Sequence, residues 1–152
     1  MHIKTNGVQL NCVVEGDGPW LVMSHSLACD VSMWDEQAAV LRRQYRVLRF
    51  DTRGHGGSDA PAGAYSLDML AEDLRGLLDA LKVENPHFMG LSMGGMIGMS
   101  FALRYPKRLR SLVLCDTSSR IPPEAGAIWD GRIKTATEQG MEPLVEPTLK
   151  RW

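Results

Sequence analysis

The spacing of apolar residues changes several times along this chain, and each change marks an element. Val8, Leu10, Cys12 and Val14 alternate with polar or small residues, the period of a strand with one buried face. Asn6 and Gly7 stand just before them at a turn, so "HIKTNGVQLNCVVEGDG" reads as a hairpin. "PWLVMSH" is apolar without alternation, which suits a strand buried on both faces. A short helix over "DEQAAVLRRQ" and a strand over "YRVLRFD" follow. "SLDMLAEDLRGLLDAL" is the clearest helix. Leu67, Leu70, Ala71, Leu74, Leu77, Leu78 and Leu81 share one face, Ser66 can cap the start, and Asp68, Glu72 and Asp73 lie toward the positive end of the dipole. "PHFMG" is the next strand, "MGGMIGMSFALRY" a helix stopped by Pro106, and "LRSLVLCD" a further strand.

Strands alternating with helices after an initial hairpin predict a mostly parallel sheet with helices on both faces, joined by right-handed crossovers. Pro122 and Pro123 mark a break, with weaker helical signals beyond it. Residues 1–120 therefore read as sheet core and 121–152 as an added helical segment. A length of 152 residues suits one domain. The formal net charge of -1, with both signs mixed along the chain, argues against nucleic acid or an anionic membrane as a partner. Every apolar run falls short of the roughly 20 residues that span a bilayer, and the opening residues lack a signal-peptide pattern. Cys12, Cys29 and Cys115 match no metal or redox spacing, so they read as reduced thiols of a cytoplasmic protein, with no metal expected.

Candidate chemistry begins at "FMGLSMGGMIG". Gly90-Leu91-Ser92-Met93-Gly94 is a G-x-S-x-G pattern with a strand before it and a helix after it. That context suits a nucleophile elbow, in which a sharp turn lifts a serine hydroxyl above the sheet and side chains with a Cβ do not fit beside it. The helix start also offers N–H groups to a developing negative charge. The alternative is a plain glycine-rich turn. "MSHSLACD", after the third strand, can supply a second set of donors. The N–H groups of Leu27 and Met93 are the expected oxyanion hole. "DTRGHGGSDAP" reads as a tight loop in which Asp51 and Arg53 are placed to pair.

With these motifs in place the chain resembles the α/β-hydrolase superfamily, and more closely the 3-oxoadipate enol-lactonases of aromatic-compound breakdown. The resemblance is carried by "SHSLACDVSMWD", "YRVLRFDTRGHGGSDAPAGAYSLDMLAEDL", "FMGLSMGGMIG" and "RLRSLVLCDTSSRI". It implies an α/β-hydrolase fold, truncated after the sixth strand and the start of a helical cap. It also implies a cofactor-free serine esterase or lactonase that opens a lactone by attack at the ester carbonyl. The superfamily's triad runs Ser, then Asp, then His. By the resemblance, the usual acid and histidine would follow Trp152.

Within the chain, His25 either organises the oxyanion loop or substitutes as the base of Ser92, and Asp116 either serves as the acid or turns the chain after the sixth strand. His2, His55 and His87 read as non-catalytic. Trp34, Trp129 and Met93 either line an apolar substrate pocket or belong to the core. Arg132 either meets a substrate carboxylate or is an exposed helix arginine. Three functions remain: a hydrolase of small-molecule esters or lactones, a weakly active or inactive module that binds a ligand or needs a complementing C-terminal half, and a purely structural domain. The last leaves the glycine-flanked serine unexplained. "SLVLC", 111–115, is expected to form an apolar sheet edge, which favours a homo-oligomer through edge pairing or swapping.

Overall fold

Asn6 and Gly7 close the first turn with φ of 42° and 79°, the pair of positive values that a type I′ hairpin requires. In the computed structural model, which describes residues 1–151, this turn joins β1 (His2–Thr5) to β2 (Val8–Glu15), with Thr5 opposite Val8. Trp152, the last residue of the expected helical segment, lies outside the described residues. The chain continues through β3 (Trp20–Ser24), a 3₁₀ turn at Val31–Trp34, α1 (Asp35–Leu41), β4 (Arg46–Phe50), α2 (Leu67–Ala80), β5 (His87–Leu91), α3 (Met93–Arg104) and β6 (Ser111–Cys115).

The strands form one sheet in the order β1-β2-β4-β3-β5-β6. β2 runs antiparallel to both its neighbours, while β4, β3, β5 and β6 are parallel. The carboxyl ends of those four strands therefore share one edge. Strand order reverses on either side of β3, whose last residue, Ser24, stands between Phe50 and Gly90. Crevices at such reversals are where open α/β sheets bind ligands.

Alternation along the strands divides the core between the two faces. Val22, Leu48 and Phe88 pack with Leu70, Leu74, Leu77 and Leu78 of α2 and with Ile97 and Phe101 of α3. Leu21, Met23 and Val47 pack on the other face with Trp34 and Ala38. Each such side chain contributes roughly 1.5–3 kcal/mol when fully buried. Burial in the larger cluster pushes the Cys12 thiol up to about 12, which leaves it an inert core residue.

Helix α2 departs from its sequence pattern at two positions. Ser66 caps it as expected, its hydroxyl accepting from the Met69 N–H at 3.1 Å. Leu67, in the first turn, is exposed, whereas Asp73 is buried on the apolar face. Asp73 goes inside because Arg53 reaches it with two hydrogen bonds, Nε to Oδ2 at 2.8 Å and Nη2 to Oδ1 at 2.6 Å. Asn6 Nδ2 donates to the same carboxylate at 2.8 Å. The expected Asp51–Arg53 pairing is therefore corrected. Asp51 accepts instead from the N–H groups of Val31 (2.7 Å) and Gly57 (2.8 Å) and from Asn11 Nδ2 (2.9 Å). Loop amides without secondary-structure partners claim Asp51, and a carboxylate that would otherwise be buried alone claims Arg53.

Residues divide into two compact units, Met1–Ser119 and Arg120–Trp152. The second contains a 3₁₀ turn at Pro123–Ala125, then α4 (Gly126–Gln139) and α5 (Glu142–Leu149), separated by Gly140 with φ 81°. Ile128, Ile133, Val145 and Leu149 are exposed on these helices. Among the described residues, no helix is long and apolar enough to cross a membrane.

The Arg53–Asp73 pair generates the first prediction. Replacing Arg53 with Met strands a buried carboxylate and is expected to lower unfolding free energy by about 3–5 kcal/mol. Urea unfolding measures it, and a variant as stable as the parent would contradict the role given to the pair.

Candidate active site

Ser92 links the end of β5 to the start of α3 with φ 51° and ψ −112°. A residue with a Cβ pays roughly 1–3 kcal/mol to hold so sparsely populated a conformation. The surrounding contacts over-determine it. The Ser92 N–H donates to the Cys115 carbonyl at 3.0 Å. The Ser92 carbonyl accepts from Met96 N–H at 3.1 Å and from Thr117 Oγ1 at 2.7 Å. The Ser92 side chain makes no capping bond to the helix that it begins, and the residue is half-buried.

The flanking glycines are required by close approach. A Cβ on Gly90 would collide with the Gly94 carbonyl, and a Cβ on Gly94 with the Ser24 carbonyl. Both are backbone atoms with no room to give. The second collision is informative, because it shows the first turn of α3 seated directly on the end of β3, where the 25–30 loop begins.

His25 opens that loop and is fully buried. Its Nδ1 lies 2.7 Å from the Ser26 carbonyl oxygen, which only accepts, so Nδ1 carries the hydrogen. Its Nε2 accepts from the Thr52 N–H at 3.0 Å, with Thr52 Oγ1 also at 3.0 Å. The ring is thus a neutral imidazole with both nitrogens engaged. Burial pushes its pKa down, against the smaller opposite effect of the Ser26 carbonyl. The assignment of His25 as a substitute base is corrected by this geometry, because the lone pair that a base needs is already accepting from Thr52.

The same bonds orient the Ser26–Leu27 peptide. The Ser26 carbonyl is held by His25 Nδ1 and by the Cys29 N–H at 3.3 Å. That carbonyl and the Leu27 N–H belong to one planar trans peptide, so fixing one fixes the other in the opposite direction. Ala28, the next residue, is exposed with φ 61°. Val31, on the far side of the loop, is tied to the end of β4 through Asp51.

The remaining expected residues are more scattered. Asp116 is exposed just past β6, with φ 38°. No hydrogen bond joins Ser92, His25 and Asp116 to one another among the described residues. Trp34 is buried in the smaller core cluster, so of its two readings the core one describes it. Trp129 and Arg132 lie on α4 in the second unit, where the guanidinium stacks over the indole at 4.9 Å from the ring centroid. His55 sits beside His25, with ring centroids 5.1 Å apart. His87, at the opposite end of β5 from Ser92, bonds Ser111 Oγ at 2.8 Å, and His2 Nε2 donates to the Gly57 carbonyl at 3.1 Å. No group of three or more His, Cys, Asp or Glu side chains among the described residues is arranged to hold a metal ion. Thr52 and Thr117 were not singled out in the sequence. Neither belongs to a spacing pattern, and each acts on a partner more than 20 positions away.

Comparison with known proteins accords with this architecture. Residues 19–145 match the family described as alpha/beta hydrolase fold. The chain is 38% identical over 152 residues to 3-oxoadipate enol-lactonase 2 of Acinetobacter baylyi, covering 99% of this chain and 56% of that protein. The crystal structure of the enol-lactonase from Burkholderia xenovorans superposes with a TM-score of 0.93 at 42% identity, covering 100% of this chain and 59% of that one. A thermophilic esterase from Thermogutta terrifontis superposes with a TM-score of 0.93 at 30% identity, over 99% of this chain and 58% of the esterase. The chain spans about half the length of the curated relatives it matches. With a strained serine between strand and helix, a strand-order reversal at β3 and a family match over most of its length, the chain belongs to the α/β hydrolase fold family.

Proposed function

We propose that the chain carries the nucleophile and oxyanion hole of a serine hydrolase for carboxylic esters or lactones, of the 3-oxoadipate enol-lactonase kind. The backbone of Ser92, in the left-handed region between β5 and α3, is the observation that carries this reading. Ser92 Oγ attacks the ester carbonyl carbon and the carbonyl electrons move to oxygen. The N–H groups of Leu27 and Met93 donate to that oxyanion, and collapse expels the alkoxide to leave an acyl-serine that water releases. Two 3-oxoadipate enol-lactonases among the relatives, at 38% identity each, support the lactone class.

His25 enters this scheme as a positioning residue for the Leu27 donor, through the Ser26 carbonyl. The proton of Ser92 then needs a base other than His25. That requirement favours a second reading, in which residues 1–151 form a weakly active, ligand-binding part of a hydrolase. Oxyanion stabilisation and binding alone can sustain about 10³–10⁴ over the uncatalysed rate.

The β6 edge suggests an assembly. β6 pairs with β5 on one side only among the described residues, and Val113 and Leu114 are 41% and 43% exposed. We propose that a second copy pairs along this edge.

Three outcomes are expected. Ser92→Ala should abolish hydrolysis of p-nitrophenyl acetate, and an unchanged rate would remove the nucleophile assignment. Light scattering at micromolar concentration should give a mass above one chain, and a strictly monomeric protein would count against edge pairing. The third concerns acid. Folded His25 binds a proton less readily than the unfolded chain, where its pKa returns to about 6.5. Stability from this group is therefore full above that value and falls as pH drops below it. Urea midpoints should decrease between about pH 7.5 and about pH 5.5, and His25→Asn should flatten the decrease. Equal slopes in parent and variant would exclude His25 as the cause.

A further inference from the structure

We propose that Thr117 is a positioning residue for the Met93 oxyanion donor, acting through the Ser92 carbonyl. The inference rests on the reading of Ser92 and Met93 given above. Thr117 lies two residues beyond β6, and its hydroxyl has one hydrogen, which goes to the Ser92 carbonyl oxygen at 2.7 Å. That carbonyl and the Met93 N–H are the two ends of a single planar peptide. Whatever fixes the direction of the carbonyl therefore aims the N–H the opposite way, out of the start of α3.

The direction is one that the backbone would not choose unaided. The orientation of this peptide is set by ψ of Ser92, −112°, at a residue whose φ is 51°. The Met96 N–H also donates to the Ser92 carbonyl, at 3.1 Å, but that is the ordinary first bond of the helix and turns with it. Thr117 belongs to a different segment. Its bond, together with the one from Ser92 N–H to the Cys115 carbonyl at 3.0 Å, ties the elbow to the end of β6 on both sides of the serine.

The sequence makes room for this contact. A Cβ on Gly95 would stand 2.6 Å from Thr117 Cγ2, 2.7 Å from its Cβ and 2.8 Å from its Oγ1. Gly95 lies outside the G-x-S-x-G pattern, and the approach of Thr117 accounts for it. The two proposed donors are thus built alike, each aimed by a side chain that grips the carbonyl of the donor's own peptide: His25 for Leu27 and Thr117 for Met93.

The test compares Thr117→Val, which keeps the shape and removes the donor, with Thr117→Ser, which keeps the donor. The assay is p-nitrophenyl acetate hydrolysis, with Ser92→Ala as reference. In the valine variant kcat should fall about tenfold, short of the 10²–10³ that removing a donor outright costs. KM should stay within about twofold, as expected when an interaction made only in the transition state is lost. Inhibition by phenylboronic acid, which forms a tetrahedral adduct on a serine, should weaken in step with kcat. Thr117→Ser should restore both. Should the valine variant fail to fold, Thr117→Ala, which also removes the donor, carries the same comparison. A valine variant with parental kcat, or a serine variant as impaired as valine, overturns the assignment of Thr117. A Ser92→Ala protein that keeps the parental rate overturns the hydrolase reading beneath it.

Discussion

How closely the start of α3 approaches the end of β3 governs the rest of the sheet's carboxyl edge. The Gly94 position lies against the Ser24 carbonyl with no space for a Cβ. That contact brings the two candidate donor segments together, since Met93 begins the helix and Leu27 lies three residues beyond the strand. A helix held farther out by one methyl group would separate them. The left-handed Ser92 follows from the same constraint, because the chain must leave β5 and enter a helix pressed against the neighbouring strand. Strain at Ser92 and absence of side chains at Gly90 and Gly94 are therefore one feature seen at three positions.

Buried charge then fixes the loops around that contact. Asp51 spends its carboxylate on amides of the loops that follow β3 and β4 and on Asn11 of β2, so one side chain ties three segments together. Arg53 and Asp73 lock the following loop to α2 and, through Asn6, to the first hairpin. On the other face, Arg49 pairs with Glu15 at 2.5 Å and with Asp35. Arg53–Asp73 is a buried ion pair, and Arg49–Glu15 a partly buried one, between elements distant in sequence. Removing one partner costs more than the pair contributes, because the remaining charge is left in a medium that solvates it poorly.

Much of this was legible in the sequence, and the division is physical. The Asn6–Gly7 turn, the Ser66 cap, the two-sided burial of β3 and the strand–serine–helix motif are each set by residues within a few positions of one another. Local pattern carries them. The partner of Arg53 was not legible, because Asp51 was near in sequence while Asp73 was near in space. Asp73 itself reads as a polar position at the start of a helix until Arg53 gives it a reason to be buried. His25 was identifiable as either organiser or base, and only the amide of Thr52, 27 positions away, decides between them. Thr117 had no pattern to betray it, and the nearest signal was Gly95, a glycine that the elbow motif does not require.

The commitment of His25 has a chemical consequence that reaches beyond its own loop. An oxyanion hole is useful only if its donors are fixed before charge develops, since reorienting them during the reaction would cost what they return. A histidine that held the Ser26 carbonyl through Nδ1 and also took the Ser92 proton on Nε2 would become doubly protonated. It would then face the Thr52 N–H with a second N–H, and the loop would lose its anchor as the transition state formed. Holding the Ser26–Leu27 peptide and taking up a proton are therefore incompatible tasks for this ring. Burial enforces the separation by keeping His25 neutral, and a second group has to carry the proton if Ser92 is to turn over at full rate.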